Sequence, residues 1–186
     1  MKLCLVGDCC GKTSIIQRWI HPNQPIVPER TIAIDMKSMV INDNGNPVVL
    51  QMWDCCGETF YRELLDKYLF NANCIVICFD LTNPYSWLTA QFWLDRARDV
   101  ASETPICVIG NKLDRESARR IKAEVVKKYI DLIPIPYIFY CEVSAYTGEQ
   151  CKDTLRMIVR EGRRNLRVYN LKDFKKRVPE KSCTIV

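Results

Sequence analysis

The chain has 186 residues, of which 48% are hydrophobic and 26% charged, with a formal net charge of +5. This length suggests one domain, and the composition excludes a disordered or fibrous chain. The longest apolar run, at 72–79, is too short to span a bilayer, and the N-terminal sequence lacks a signal-peptide layout, so we expect a cytoplasmic protein. Eleven cysteines, an odd number without a C-x-x-C pair, indicate reduced thiols rather than a disulfide framework.

Short apolar runs alternate with amphipathic segments along the chain. Continuous hydrophobicity predicts buried strands at 2–6, 75–80, 105–110 and 137–144. Apolar residues at helical spacing predict helices at about 13–20, 86–101, 118–129 and 149–164. Asn44-Gly45, between two further apolar runs, predicts an antiparallel hairpin at the sheet edge. The alternation predicts an α/β fold with a mostly parallel sheet, in which ligands bind at the carboxyl ends of the strands.

The first strand is followed by the sequence GDCCGKT, from Gly7 to Thr13. It is similar to the phosphate-binding pattern G-x-x-x-x-G-K-[ST], but it is one residue shorter. In such a loop Gly11 lets the backbone approach phosphates, Lys12 supplies a positive charge and Thr13 places a hydroxyl on Mg²⁺. Taken alone, the shortened pattern leaves an ordinary strand-turn-helix equally open.

Three further motifs each follow a predicted strand. Asp54 begins a D-x-x-G sequence that would place a carboxylate near a metal and a glycine N–H near a terminal phosphate. NKLD ends in Asp114, whose carboxylate can accept hydrogen bonds from the N1–H and the exocyclic amine of guanine, a pair that adenine does not offer. In EVSA, the N–H of Ala145 could meet the guanine carbonyl oxygen. The joint occurrence of these motifs, in order and at strand ends, points to a guanine-nucleotide site.

With these motifs in place, residues 2 to about 165 resemble the Ras superfamily of small GTP-binding proteins, and the Rab branch most closely. RTIAIDM at 30–36 looks like the Rab effector-loop sequence T-I-G-I-D-F. LQMWDCCGETFYREL is similar to L-Q-L-W-D-T-A-G-Q-E-R-F-R-S-L without a gap, and FDLTNPYSW resembles Y-D-I-T-N-x-x-S-F. The resemblance implies the three-layer α/β fold of P-loop NTPases, with a mixed six-stranded sheet and helices on both faces. It also implies a G domain at 1–166 and a basic tail at 167–186.

The resemblance further implies a ligand set of GTP or GDP with Mg²⁺. Phosphate contacts would come from Cys10, Gly11, Lys12, Thr13, Ser14 and Gly57. The Mg²⁺ would be held by Thr13, by the switch threonine Thr31 and, through water, by Asp54. Guanine would be recognised by Asn111, Lys112, Asp114, Ser144 and Ala145.

The chain departs from the family pattern at positions that serve the phosphates, the hydrolytic water or the stacking of the base, while the sheet-forming segments are kept. Besides the short loop, Glu58 replaces the glutamine that positions the attacking water; a carboxylate only accepts hydrogen bonds and repels the phosphoryl charge. Gln24 stands where the family has an aromatic residue, and Tyr146 replaces a lysine. We therefore expect guanine binding to persist with slow or absent hydrolysis. A pseudo-GTPase that serves as an interaction module stays open, whereas NKLD and EVSA argue against an ATPase or kinase.

Two adjacent cysteine pairs stand beside the predicted site. Cys9-Cys10 and Cys55-Cys56 follow strands that this fold places next to each other, so four thiols could approach the phosphate pocket. Redox control or a zinc site is one hypothesis, since a nearby lysine and a helix N-terminus lower a thiol pKa. The alternative is that these cysteines simply replace other small residues.

The chain ends in Cys183-Thr-Ile-Val, which fits the C-a-a-X prenylation pattern and follows a basic stretch. One prenyl chain anchors only marginally, so the basic residues would act as a second membrane signal. A C-terminal ligand for peptide-binding domains is the alternative. We expect a monomer, without a nucleic-acid partner, on the cytosolic face of endomembranes or the plasma membrane. Its partners would be effectors, exchange factors, GTPase-activating proteins and prenyl-handling proteins.

Overall fold

In the computed structural model, which describes residues 1–28, 31–43, 45–56, 62–134 and 137–164, six strands form one mixed sheet. They are β1 (Lys2–Val6), β2 (Ile34–Asp43), β3 (Asn46–Cys55), β4 (Cys74–Asp80), β5 (Ile106–Asn111) and β6 (Ile138–Glu142). Their spatial order is β2-β3-β1-β4-β5-β6. The β2–β3 pair is antiparallel and every other neighbouring pair is parallel, which confirms the predicted sheet and its edge hairpin.

The hydrophobic pattern explains the positions of the central strands, but β6, which was predicted to be buried, lies at the sheet edge and all five of its residues are half-buried. All seven residues of β4 and all six of β5 are buried, because helices cover both faces of the sheet interior. Edge strand β2 instead alternates between half-buried and exposed residues over most of its length. At the hairpin turn, Gly45 adopts a φ of 84° and donates its N–H to Asn42 Oδ1 at 2.7 Å. The preceding Asn44 lies outside the described residues.

Helices cover the two faces and create two separate cores. They are α1 (Lys12–Ile20), α2 (Arg62–Leu69), α3 (Pro84–Ala101), α4 (Ala123–Ile130) and α5 (Cys151–Arg164). Residues of α2, α3 and α4 belong to one buried cluster, and residues of α1 and α5 to the other. The predicted apolar face of α5 lies in the second cluster and consists of Cys151, Leu155, Ile158 and Val159. The chain therefore has the predicted three-layer architecture.

The helices differ from the sequence prediction in several places, among them the start of α5, which lies two residues later than predicted. Helix α3 begins two residues earlier, because Asn83 accepts a hydrogen bond from the N–H of Tyr85 and a proline follows the cap. Helix α4 begins five residues later than predicted, because a 3₁₀ segment at Leu113–Ala118 comes first. The chain after it bonds to Leu81 O through the N–H groups of Arg120 and Ile121. Helix α2 was not predicted.

Candidate functional site

A cleft of about 1120 Å³ opens at the carboxyl-terminal edge of the sheet, beyond β1 and β5. Three segments line this cleft: the loop after β1, the segment after β5 and the loop after β6. Ten residues predicted from the sequence line the cleft: Cys10, Gly11, Lys12, Thr13, Ser14, Thr31, Asn111, Lys112, Asp114 and Ala145. Asp54 and Ser144 lie directly behind it, bonded to lining residues. The predicted motifs therefore do converge.

The shortened loop requires glycine at both of its ends. Gly7 has a φ of 131°, and a Cβ on it would lie 2.1 Å from the carbonyl oxygen of Cys78. Gly11 has a φ of 85°, and a Cβ there would lie 2.7 Å from Asn111 Nδ2. Between them, Cys9 adopts a φ of 48°, a left-handed conformation that is costly for a residue with a Cβ. The loop thus makes its turn in fewer residues by using left-handed conformations.

Lys12 lies at the first position of α1 with its side chain turned back into the loop. Its ammonium donates to the Gly7 carbonyl oxygen at 2.5 Å, and the residue is only 7% exposed. Burial, the largest effect, lowers the pKa of Lys12, but the acidic groups around it, Cys10 and Asp54 among them, outweigh burial and raise that pKa overall. A fixed positive charge therefore lies beside the helix N-terminus, where anions bind.

Three oxygen-bearing side chains meet beside this lysine. The hydroxyls of Thr13 and Thr31 lie 2.8 Å apart, and they donate to Asp54 Oδ2 at 2.5 and 3.1 Å, respectively. Asp54 is fully buried, and its Oδ1 has no hydrogen-bond partner within the described part of the chain. Hydroxyl and carboxylate oxygens are the ligands that Mg²⁺ prefers, and a buried carboxylate oxygen is costly without a cation or a water. This set of donors fits the Mg²⁺ predicted from the sequence.

On the other side of the cleft, hydrogen bonds join the guanine-recognition motifs to each other. Asn111 is 2% exposed; its Nδ2 donates to the Cys10 carbonyl oxygen at 2.9 Å, and its Oδ1 accepts from the N–H of Ala145 at 3.1 Å. The Ser144 hydroxyl donates to Asp114 Oδ1 at 2.5 Å. Sequence reasoning assigned Asn111 to the edge of the base. In the structure both ends of its amide contact the backbone, so Asn111 also ties three loops together.

Asp80, at the end of β4, supports the cleft and was missed by sequence reasoning. Its Oδ2 pairs with Lys112 Nζ at 2.5 Å, and the backbone of Lys112 is left-handed with a φ of 69°. Burial works to raise the pKa of Asp80, but hydrogen bonds from Lys112 and Thr82 prevail and lower it. An aspartate at the end of an entirely apolar strand was the available signal.

Arg18 is the second functional residue that the sequence did not reveal. It lies on α1, is 9% exposed and donates to four backbone carbonyls, those of Pro22, Gln24, Ala145 and Tyr146, at 2.5 to 3.1 Å. It therefore joins the segment after α1 to the loop after β6. The available signal was its position between the apolar residues of α1.

The wall where the family has an aromatic residue is built differently. Ile26 and Pro28 line the cleft near the exposed Gln24, and Tyr146 lines it from the loop after β6 with 77% of its surface exposed. An isoleucine, a proline and a tyrosine thus offer apolar surface in place of one stacked ring.

Three of the four thiols that were expected to approach the pocket line the cleft, and the fourth, Cys55, does not. Cys9, Cys10 and Cys56 line the cleft. The Cys55 sulfur instead lies in the core, 3.5 Å from the Cys4 sulfur, and the contact with Cys4 together with burial raises its pKa. Cys9 is exposed, whereas Cys10 is fully buried and a hydrogen bond to Cys78 lowers its pKa. Within the described residues, no group of three or more His, Cys, Asp or Glu side chains could hold a metal ion.

Three predicted residues cannot be placed. Gly57 and Glu58, between β3 and α2, lie outside the described residues, as does Cys183 in the tail. Their roles remain predictions from the sequence. Among the described helices, none is long and apolar enough to cross a membrane.

Comparison with known proteins agrees with this geometry. Residues 2–164 match the family model described as Ras family, so the chain belongs to the Ras family. It is similar to Ras-related protein Rab-28 of Caenorhabditis elegans, with 34% identity over 170 residues that cover 87% of this chain and 66% of the relative. It is also similar to Ras-related protein RabG2 of Dictyostelium discoideum, with 25% identity over 166 residues that cover 88% of this chain and 83% of the relative. The EF-hand calcium-binding domain-containing protein 4B of Homo sapiens is 29% identical over 86% of this chain.

These matches define the class as Rab-like small GTPases. The chain spans 22% of the human relative and just under two thirds of the nematode one, so what those whole proteins do does not transfer directly. Members of the Ras family bind guanine nucleotide and Mg²⁺, and they interact with effectors, exchange factors and GTPase-activating proteins.

Proposed function

We propose that this protein is a guanine-nucleotide-dependent switch of the Rab type, acting in vesicle and membrane traffic, with slow GTP hydrolysis. The observation that carries the proposal is the single cleft in which Lys12, the Thr13–Thr31–Asp54 oxygens and Asp114 come together. One end of the cleft offers a buried positive charge and the other offers a carboxylate on an exposed residue. A ligand with phosphates at one end and a guanine at the other matches both.

Asp114 would accept hydrogen bonds from the base, while Ser144 fixes its Oδ1 and Asn111 fixes the neighbouring loops. Lys12 and the loop N–H groups from Cys10 onward would hold the phosphates, with Ser14 and Ala145 completing the contacts. Residues 1–166 would form the G domain. These roles follow from the donors and acceptors that face the cleft.

Thr13, Thr31 and Asp54 would hold Mg²⁺, which supplies charge neutralisation for the phosphates when bound. Thr31 lies three positions before the start of β2, so its contact with Thr13 and Asp54 links the cleft to an outward-facing segment. Ile32 is 83% exposed directly beside it. A change at the phosphates would therefore be communicated to effectors through Thr31, and Gly57 would respond in the same way.

Hydrolysis would be slow because two parts of the site depart from the family. Glu58 would not donate the hydrogen bond that orients the attacking water, and the loop between Gly7 and Gly11 offers one N–H fewer. Exchange factors and GTPase-activating proteins would then regulate a switch with a long-lived GTP state. The second candidate function is a pseudo-GTPase that serves as an interaction module. Glu58 and the shortened loop favour this candidate as well.

The basic tail at 167–186 would attach the protein to the cytosolic face of endomembranes or the plasma membrane. Prenylation at Cys183 would supply one anchor, delivered by prenyl-handling proteins, and the basic residues a second. Mass spectrometry of the protein from eukaryotic cells tests this part, since an unmodified Cys183 would contradict it.

The experiment that tests the switch identifies the nucleotide that co-purifies with the protein and follows GTP turnover in a single-turnover assay with Mg²⁺. We expect bound guanine nucleotide and hydrolysis at least tenfold slower than that of a Rab protein with the usual glutamine, since one positioned catalytic group contributes roughly 100-fold or more. The Glu58→Gln variant should recover part of the rate. Absence of any bound nucleotide would favour the pseudo-GTPase, and an ordinary rate would contradict slow hydrolysis.

A further inference from the structure

The positive charge of this chain is concentrated in its last fifth. Residues 152–186 contain eleven Lys and Arg against four Asp and Glu, whereas residues 1–151 contain sixteen against eighteen. The excess begins within the folded domain, because α5 runs to residue 164. Part of the excess therefore has a fixed position relative to the sheet.

Four of the five basic residues of α5 share one side of the helix. Spacings of four, four and three residues place Lys152, Arg156, Arg160 and Arg163 on a surface that we call the α5 basic face. The side chains of Arg156 and Arg160 are 66% and 67% exposed, and that of Arg163 is 36% exposed. The buried residues of α5 lie on a different side of the helix, so the basic face points away from the core.

A cleft of about 790 Å³ separates this face from the end of β2. Its lining consists of Arg156, Arg160 and Arg163 with Met157 and Val159 from α5, and Ile41, Asn42 and Asp43 from β2. Arg163 pairs with Asp43 and so connects the hairpin to the helix. The cleft thus has an apolar floor and three guanidinium groups at its rim, against a single carboxylate in its lining.

The acidic groups that face the arginines differ in exposure: the side chain of Asp153 is 70% exposed, whereas that of Glu161 is only 12% exposed. Arg156 pairs with Asp153 at 3.1 Å and Arg160 with Glu161 at 2.9 Å. The Arg156 pair is exposed on both sides, and exposed pairs contribute little stability, so a phosphate can replace the carboxylate as partner. Guanidinium groups bind phosphate oxygens through two parallel hydrogen bonds, which makes phosphate a strong competitor.

The cleft lies far from the nucleotide site. Strand β2 starts at Ile34, three residues after the cleft-lining Thr31, and runs for ten residues to Asp43. At roughly 3.3 Å per residue, its two ends are about 30 Å apart. A flat surface that covers the α5 basic face would therefore leave the nucleotide site and Thr31 accessible.

We propose that the α5 basic face and its cleft bind the phosphates of anionic phospholipid headgroups, so that the folded domain itself rests on the membrane. The basic residues continue from α5 into the tail sequence, with Arg164, Arg167, Lys172, Lys175, Lys176, Arg177 and Lys181. A positive charge that continues along the sequence beyond the helix matches the diffuse negative charge of a lipid surface better than a local acidic patch on a protein. This inference rests on the membrane association proposed above and specifies how the domain is oriented.

The test uses the full chain and vesicles of phosphatidylcholine with or without phosphatidylserine. The double variant Arg156→Gln/Arg160→Gln is compared with Lys67→Gln/Arg98→Gln, which removes two exposed positive charges from α2 and α3 on the other face of the sheet. A basic residue near a lipid surface contributes about fivefold to partitioning, so we expect the first variant to lose on the order of 20-fold and the control less than about twofold. Guanine-nucleotide affinity should not change in either variant.

Each outcome of this test bears on one of the two proposals. Equal losses in the two double variants, with wild-type binding to the phosphatidylserine vesicles intact, overturn the role of the α5 basic face and leave membrane association standing. Failure of the wild type to prefer phosphatidylserine vesicles overturns both. If the first variant loses binding to poly-glutamate while it retains vesicle binding, the surface serves an acidic protein and the lipid proposal is wrong.

Discussion

The two ends of the nucleotide cleft are built in different ways. At the base end, side chains of Arg18, Asn111 and Ser144 make seven hydrogen bonds that join the loops after α1, β1, β5 and β6. At the phosphate end, the loop is one residue short and depends on left-handed conformations at Gly7, Cys9 and Gly11. The base end keeps the NKLD and EVSA motifs of the Ras family but departs from the family at Gln24 and Tyr146, whereas the phosphate end departs from it in the length of its loop.

This difference indicates that guanine recognition and GTP hydrolysis can change independently within one fold. The base end is cross-linked by contacts within the protein, so its geometry does not depend on the phosphate loop except through the Asn111–Cys10 hydrogen bond. The shortened loop lies at the opposite end of the cleft. We therefore expect substitutions at the base end to abolish binding, and those at the phosphate end to adjust it.

Asp114→Asn should have the largest effect on binding. The asparagine keeps an oxygen to accept from Ser144, so the fold is retained, but it loses the charged acceptor for the base. Two charge-assisted hydrogen bonds at about 1.5–3 kcal/mol each correspond to a loss of at least 100-fold in GDP affinity. Titration calorimetry measures this change, with Asp131→Asn, an exposed acid at the end of α4, as the control. A loss below tenfold would mean that Asp114 does not contact the base.

Arg18→Gln should destabilise the fold more than any change at the phosphate end. A glutamine cannot reach four carbonyls, and the loss of these charge-assisted hydrogen bonds, including the one to the buried Ala145, costs about 3 kcal/mol in the free energy of unfolding. Urea unfolding of the nucleotide-free protein measures the effect. Arg98→Gln on the exposed side of α3 should stay within about 0.5 kcal/mol. Equal effects of the two variants would refute the role of Arg18 as a link between loops.

One glycine inserted between Asp8 and Cys9 should strengthen binding at the phosphate end. The added N–H restores one charge-assisted hydrogen bond, which corresponds to about a 10- to 100-fold gain in affinity for a non-hydrolysable GTP analogue. The same insertion after Gly45 serves as the control, because open space surrounds that turn. Unchanged or weaker binding of the GTP analogue after the loop insertion would contradict this prediction. It would show that the short loop does not lack a hydrogen-bond donor for the phosphates.

The sequence predicted most of the fold because the signals were local. Continuous apolar runs located β1, β4, β5 and β6, and the motifs located the cleft, since each motif follows a strand whose carboxyl end lies at one edge. It did not predict the roles of Arg18 or Asp80, because a buried charge gains its meaning from partners that are distant in sequence, 127 residues away for Ala145. It also misplaced Cys55. The side chain of Cys55 lies in the core, whereas the next residue, Cys56, lines the cleft.

Ala33→Gly should give the smallest effect and bears on the strain at the phosphate end. Ala33 has a φ of 62° immediately before β2, and its carbonyl accepts the N–H of Cys56 at 2.8 Å. A left-handed alanine costs about 1–2 kcal/mol, and the extra freedom of glycine in the unfolded chain offsets about 0.5–1 kcal/mol of that cost. The net gain in unfolding free energy should be about 0.5–1 kcal/mol by urea unfolding. Ala33→Ser keeps a Cβ and should show no gain in unfolding free energy. A loss of stability in Ala33→Gly would mean that the left-handed conformation of Ala33 is not strained. In that case the phosphate end would differ from the base end in loop length alone.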